Sequence, residues 1–205
     1  MIQLRLAALA LLIFTTSVAH AQECALGTSP TCGGTCQAGF VCGVVGEAPN
    51  PCGCVPGDVL SQKRMAIKLN FSKPLADSVA LQAFMPIPAD FTVAGRMVAI
   101  NIGGVVRTFV LDSKGAAKSD GGQIKLAVKS KKGVVAAQDA LLSFKASKGN
   151  FANDLADEGL INVTTDPTPV EVRAAVRIDT HTFATAVPLT YKAKQGKSGK
   201  AANAK

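Results

Sequence analysis

All six cysteines of this 205-residue chain (Cys24, Cys32, Cys36, Cys42, Cys52 and Cys54) lie between positions 24 and 54, and none occurs in the 151 residues that follow. Such a distribution demands two different ways of holding a fold together. A 31-residue stretch with Leu26, Phe40, Val41, Val44 and Val45 as its larger apolar groups cannot bury enough surface to fold unaided. Everything after it must rely on apolar packing alone.

The cysteines follow an N-terminus with the pattern of an export signal. Arg5 precedes an apolar run from Leu6 to Phe14, and Ala19-His20-Ala21 sets small residues at the −3 and −1 positions of a cleavage site. Cleavage is expected after Ala21. A membrane anchor needs about 20 apolar residues, and Thr15, Thr16 and Ser17 end this run too soon. The expected product is a secreted chain, extracellular or periplasmic, with no transmembrane segment after signal cleavage. Oxidation there favours three disulfides, each contributing roughly 2–4 kcal/mol. Six cysteines allow 15 pairings, and the spacing does not select one. A zinc site is disfavoured, because only Cys32/Cys36 has the right separation and the stretch holds no histidine.

The run from Cys32-Gly-Gly-Thr-Cys36 through Cys42 to Cys52-Gly-Cys54 resembles the small cysteine-rich modules of exported bacterial proteins, and more distantly EGF-like or knottin repeats. That resemblance implies a partner-binding or protease-inhibiting module, with Gly43 to Pro51 as the longest candidate loop. The layout as a whole is similar to uncharacterised exported bacterial β-domains, which implies a fold and a compartment but no activity.

From Met65 onward the apolar period is two. Met65, Ile67, Leu69 and Phe71 alternate with polar or small residues, as do Ile124, Leu126 and Val128, Leu142, Phe144 and Ala146, and Val172 through Ile178. Each such run predicts a strand with one wet face. Further strands are expected at 77–85, 96–102, 105–111 and 182–191. Turn residues divide them, notably Gly103-Gly104, Asp120-Gly121-Gly122 and Asp179-Thr180-His181. Eight or so short strands predict an all-β chain, an immunoglobulin-like antiparallel β-sandwich. One segment departs from the period. Asn150 to Gly159 reads as a short helix with Asn150 as N-cap, Gly159 just past its end, and Phe151 and Leu155 plugging the core. The expected organisation is a signal over 1–21, a disulfide-rich module over 22–55, a linker over 56–62, a β-sandwich over 63–191 and a disordered basic tail over 192–205.

Charge is uneven along the chain. The formal net charge is +8, yet Gln22–Tyr191 carries 16 basic against 14 acidic residues, and the last 14 residues add five lysines and no acid. That tail suits an anionic cell-surface polymer or simple solubilisation. Lys114–Lys148 holds eight lysines against two aspartates. Nucleic acid is not the expected partner. The block has no arginine for bidentate base contacts, and its one aromatic, Phe144, faces the core. Outward lysines on strands commonly discourage edge-to-edge pairing. The acids Asp154, Asp157 and Glu158 gather at the helix segment, where a calcium ion shared with the Asn153 amide competes with pairing to nearby basic groups.

Parts for catalysis are scarce. His181 is the one histidine beyond the signal, and it sits at a hairpin tip beside Asp179. A nucleophilic triad needs a walled pocket. Phosphate-binding glycine loops are missing, and carboxylate hydrolysis of sugars would lack aromatic platforms in a chain with no tryptophan and one tyrosine. No catalytic residue, cofactor or resident metal is expected. The sequence points to a non-enzymatic binding or structural module with an unknown protein or anionic polymer as partner, a protease inhibitor as the alternative and a carboxylate hydrolase as a distant third. Asn70-Phe-Ser72 and Asn162-Val-Thr164 match the N-glycosylation pattern, a chance occurrence in a bacterial chain.

Overall fold

Two-residue alternation dictates the architecture. In a computed structural model that describes residues 40–44, 52–56, 58–131 and 133–203, the chain is all-β. The strands are β1 (Phe40–Val44), β2 (Cys52–Pro56), β3 (Asp58–Val59), β4 (Ser61–Asn70), β5 (Asp77–Ile87), β6 (Met97–Ile102) and β7 (Val105–Val110). They continue with β8 (Ala116–Ser119), β9 (Gly122–Ala127), β10 (Gln138–Gly149), β11 (Thr165–Ile178), β12 (His181–Lys194) and β13 (Ser198–Ala202). Along β5 every second side chain is removed from water, with Val79, Leu81, Ala83 and Met85 fully buried. The intervening Ser78, Ala80 and Gln82 stay half-exposed. The expected signal, the Cys24, Cys32 and Cys36 positions and most of the Gly43–Pro51 loop lie outside the described residues.

One hydrogen-bonded ladder runs through ten strands in the order β7-β6-β11-β12-β13-β4-β5-β10-β9-β8, all antiparallel, with β3 joining β12 in parallel. β1 and β2 form a separate hairpin. The ladder is one sheet that curls nearly shut on one core. Its ends meet through residues that share no ladder. The Phe109 ring on β7 packs edge-on against Phe144 on β10, centroids 6.1 Å apart. A Cβ at Gly122 on β9 would stand 3.1 Å from that same Phe109 ring. Curling needs local irregularities, and the register shifts at Gln62/Arg64, Ser147/Gly149 and Thr165/Thr168. The last of these accommodates Pro167, which cannot donate to a ladder.

The C-terminal segment departs most from expectation. Residues 192–203 are not a disordered tail: β12 continues to Lys194, and β13 lies between β12 and β4 inside the sheet. Gly199 and Ala201 point inward and are buried. Their smallness is what the site requires, because a Cβ at Gly199 would meet the Tyr191 hydroxyl at 2.5 Å. Asn203 closes the strand by accepting a hydrogen bond from the Met65 N–H at 2.7 Å. The expected linker over 56–62 likewise contains β3 and the start of β4.

Tyr191 is buried, and its hydroxyl donates to the Ile161 carbonyl at 2.7 Å. Burial pushes its pKa above the ordinary value of 10.0. Above pH 10 the unfolded chain therefore sheds a proton that the folded chain keeps, so stability falls as pH rises through that range. As the chain's single tyrosine, Tyr191 gives a clean phenolate absorbance titration. Its midpoint should exceed that of the urea-unfolded chain, and Tyr191→Phe should flatten the loss of stability above pH 10.

The segment expected to be a helix is a turn followed by one 3-10 turn at Ala156–Glu158. Asn150 is not its N-cap; the Asn150 Oδ1 accepts from the Leu75 N–H at 2.6 Å, bridging to the β4–β5 turn. Gly159 does end the turn in the left-handed region, at φ 80°. Phe151 and Leu155 are buried at 3% and 0% exposure and fill the end of the core. No helix among the described residues is long and apolar enough to cross a membrane.

Candidate anion-binding face

The outward positions of β4, β5, β10, β9 and β8 come into register as rows across the sheet. One row runs Arg64, Gln82, Ser143, Lys125 and Ala116. The next runs Ala66, Ala80, Lys145, Gln123 and Lys118. A third begins at Ser78 and Lys68 and passes through Lys200 to Lys192. Strands sit about 4.8 Å apart, so each row places its side chains in fixed steps across the surface.

The middle of this face is low because its side chains are small. Ala66, Ser78, Ala80 and Ser143 form a floor, while Arg64, Lys68, Lys118, Lys125 and Lys145 stand around it, all exposed. The result is a groove of about 660 Å³ with no carboxylate in its lining. The ion pairs among the described residues are Arg96–Asp179 and Arg173–Glu158, and neither involves a groove cation. Two unit charges about 10 Å apart in water repel by roughly 0.4 kcal/mol. Five of them leave a sustained positive potential over the groove that an anion relieves.

Alternation alone makes Lys125 and Lys145 outward, but edge protection does not explain them. β9, β10 and β4, which carry Lys125, Lys145 and Lys68, are each paired on both sides. The lysines of the presumed tail belong to the same surface, since Lys200 stands opposite both Lys68 and Lys192. Arg64 and Lys68 escape sequence reasoning because the chain separates them from Lys125 and Lys145 by some 60 to 80 positions. The lysine–serine–alanine alternation of each strand was the available signal; the strand order was not.

The acidic segment resolves differently. Glu158 is 5% exposed at its side chain, and its Oε1 accepts from Arg173 Nε and Nη2, both at 2.8 Å. The Arg173 N–H reaches Oε2 at 3.4 Å. Asp154 lies near Arg107, and burial raises its pKa against the opposing pull of that guanidinium. Among the described residues no group of three or more His, Cys, Asp or Glu side chains is placed to hold a metal ion. Glu158 is paired with Arg173 on β11, and Asp154 feels the charge of Arg107 on β7, both arginines lying outside the acidic stretch in sequence.

His181 opens β12 at an exposed turn, and the Asp179 carboxylate beside it is held by Arg96 Nη1 at 2.6 Å. Asn70 and Asn162 both use their amide oxygens as acceptors, Asn70 locally from the Ser72 and Lys73 N–H groups and Asn162 from the Gly196 N–H, 34 positions along the chain. A second hollow, of about 470 Å³, is lined by Val59, Ser61, Phe84, Pro86 and Asp139 and carries a single carboxylate. Comparison of the chain with protein-family models, with curated proteins and with solved structures yields no match to any of them.

Proposed function

We propose that the chain is an exported, non-enzymatic binding module that holds an anionic polymer at the cell surface or in the extracellular space. The observation that carries this reading is the groove itself: five cations from four strands surround a floor of small side chains, with no carboxylate among them. An extended polyanion fits such a surface better than a compact anion, because the basic rows continue past the groove to Lys200 and Lys192. The one outward aromatic close by, Phe84 on β5, lies beyond Gln82 in the neighbouring hollow under the Lys63 ammonium. The groove itself therefore offers no ring for base stacking, which argues against single-stranded nucleic acid as the preferred ligand. The immunoglobulin-like character belongs to this proposal as well, since opposite halves of the curled sheet pack face to face across one core, as in adhesive sandwich modules. The cysteine segment, as a disulfide-rich module, would then serve as a second contact or a spacer.

The test is retention on polyglutamate and dextran sulfate resins. The full chain should bind at low salt and elute as salt rises. Arg64→Gln/Lys125→Gln/Lys145→Gln should weaken binding by about 100-fold, at about 1 kcal/mol for each cation facing an anionic surface. Lys73→Gln/Lys114→Gln/Lys129→Gln removes the same charge outside the groove and should cost far less. Equal losses in the two variants, or no retention of the unaltered chain, would overturn the proposal.

A further inference from the structure

The β1–β2 hairpin places two cysteines directly across from one another. Its register pairs Phe40 with Pro56, Cys42 with Cys54 and Val44 with Cys52. Antiparallel pairs alternate between two kinds, so residues two apart along the ladder share a kind. Pro56 has no N–H to exchange, which makes Phe40–Pro56 a non-hydrogen-bonded pair. Cys42–Cys54, two steps along, is then of the same kind. Opposed α-carbons in such pairs stand about 4.5 Å apart, within the roughly 4.4–6.8 Å that a disulfide spans. Gly43 and Gly53 occupy the intervening pair, so no Cβ crowds the backbone between the cysteine positions and the hairpin end.

We infer that Cys42 and Cys54 form a cross-strand disulfide, an assignment that the spacing of the cysteines leaves open. Fixing this pair reduces the 15 possible connectivities to three, in which Cys52 joins Cys24, Cys32 or Cys36. The bond forms by thiol–disulfide exchange with a disulfide-bearing oxidant such as oxidised glutathione. The first thiolate attacks one oxidant sulfur and releases one reduced thiol. The second thiolate then attacks the mixed disulfide and releases the other. Two protons and two electrons leave the protein, and the oxidant departs as two thiols.

The full chain, purified from an oxidising compartment, is alkylated while unfolded and unreduced, and the label is located by peptide fragmentation, which separates Cys52 from Cys54 across Gly53. Cys42→Ser should carry the label on Cys54, and Cys54→Ser on Cys42. A label on Cys24, Cys32, Cys36 or Cys52 in either variant would overturn the assignment, as would alkylation of Cys42 or Cys54 in the unaltered chain. Should either single variant scramble, Cys42→Ser/Cys54→Ser decides. Label on that chain overturns the assignment. Because two orphaned thiols could also pair with each other, an unlabelled chain is taken together with fragmentation of the unreduced, unaltered chain, which must show Cys42 linked to Cys54; any other link to either residue overturns the assignment.

Discussion

Asp77→Ala should lower the free energy of unfolding by roughly 2–6 kcal/mol, enough to unfold a marginal domain at ambient temperature. Asp77 opens β5 at 3% exposure, and its carboxylate is the acceptor for two backbone donors. Oδ1 takes the Asn70 N–H and Oδ2 the Phe151 N–H, each at 2.7 Å. One donor ends β4; the other begins the segment that plugs the core, 74 positions away. Alanine removes both acceptors and gives the stranded N–H groups nothing in exchange, at about 1–3 kcal/mol for each. Asp77→Asn keeps one acceptor oxygen while setting an NH2 against the other donor, and should recover about half of the loss. Urea unfolding followed by far-ultraviolet circular dichroism measures both, the chain having no tryptophan to report by fluorescence. An Asp77→Ala chain within 1 kcal/mol of the unaltered one would show that water replaces the carboxylate at both amides.

Large side chains at period two were what made the sheet readable. Met65, Ile67 and Leu69, or Val172 through Ile178, declare a buried face without any knowledge of their neighbours, and those strands lie where the alternation puts them. β13 makes the same alternation with Gly199 and Ala201, and composition hides it: glycine, alanine and lysine together look like a segment unable to pack. Their smallness is a response to Tyr191, and their ladder partners on β4 lie some 130 positions earlier, at Leu69 and Ile67. β8 is silent for a related reason, with Ala116 and Ala117 offering little apolar mass. Asn150 shows a third kind of failure. It has the chemistry of an N-cap, and a distant amide, Leu75 N–H, claims it instead. The basic face combines these limits. Each outward lysine was visible on its own strand, but a groove is a relation among strands, and the order β9-β10-β5-β4-β13 cannot be read from sequence proximity.

Gly149→Ala should cost about 3 kcal/mol, an unusual penalty for one methyl group at a position whose backbone lies outside the left-handed region. The positive φ of this bulge, 57°, belongs to Lys148, so alanine suits the Gly149 backbone and the cost is steric. A Cβ there would fall well inside van der Waals contact with the Phe151 ring. The ring cannot easily give way. It is 3% exposed, the Arg107 guanidinium lies 5.3 Å from its centroid, and its own N–H is tied to Asp77. Accommodating the methyl therefore means lifting the plug, which forfeits ring burial, roughly 0.5–1 kcal/mol of cation–π attraction and part of the Asp77 clasp. A double-mutant cycle isolates this cause. In a Phe151→Ala background the space over Gly149 is empty, so Gly149→Ala should cost less than about 1 kcal/mol, leaving a coupling of about 2 kcal/mol between the two positions. Equal penalties in both backgrounds would place the damage in the bulge backbone instead. The same cycle with Asp77→Asn distinguishes a local clash from a displaced plug, because only displacement of the plug also releases the Phe151 N–H from Asp77 and so makes the two losses overlap.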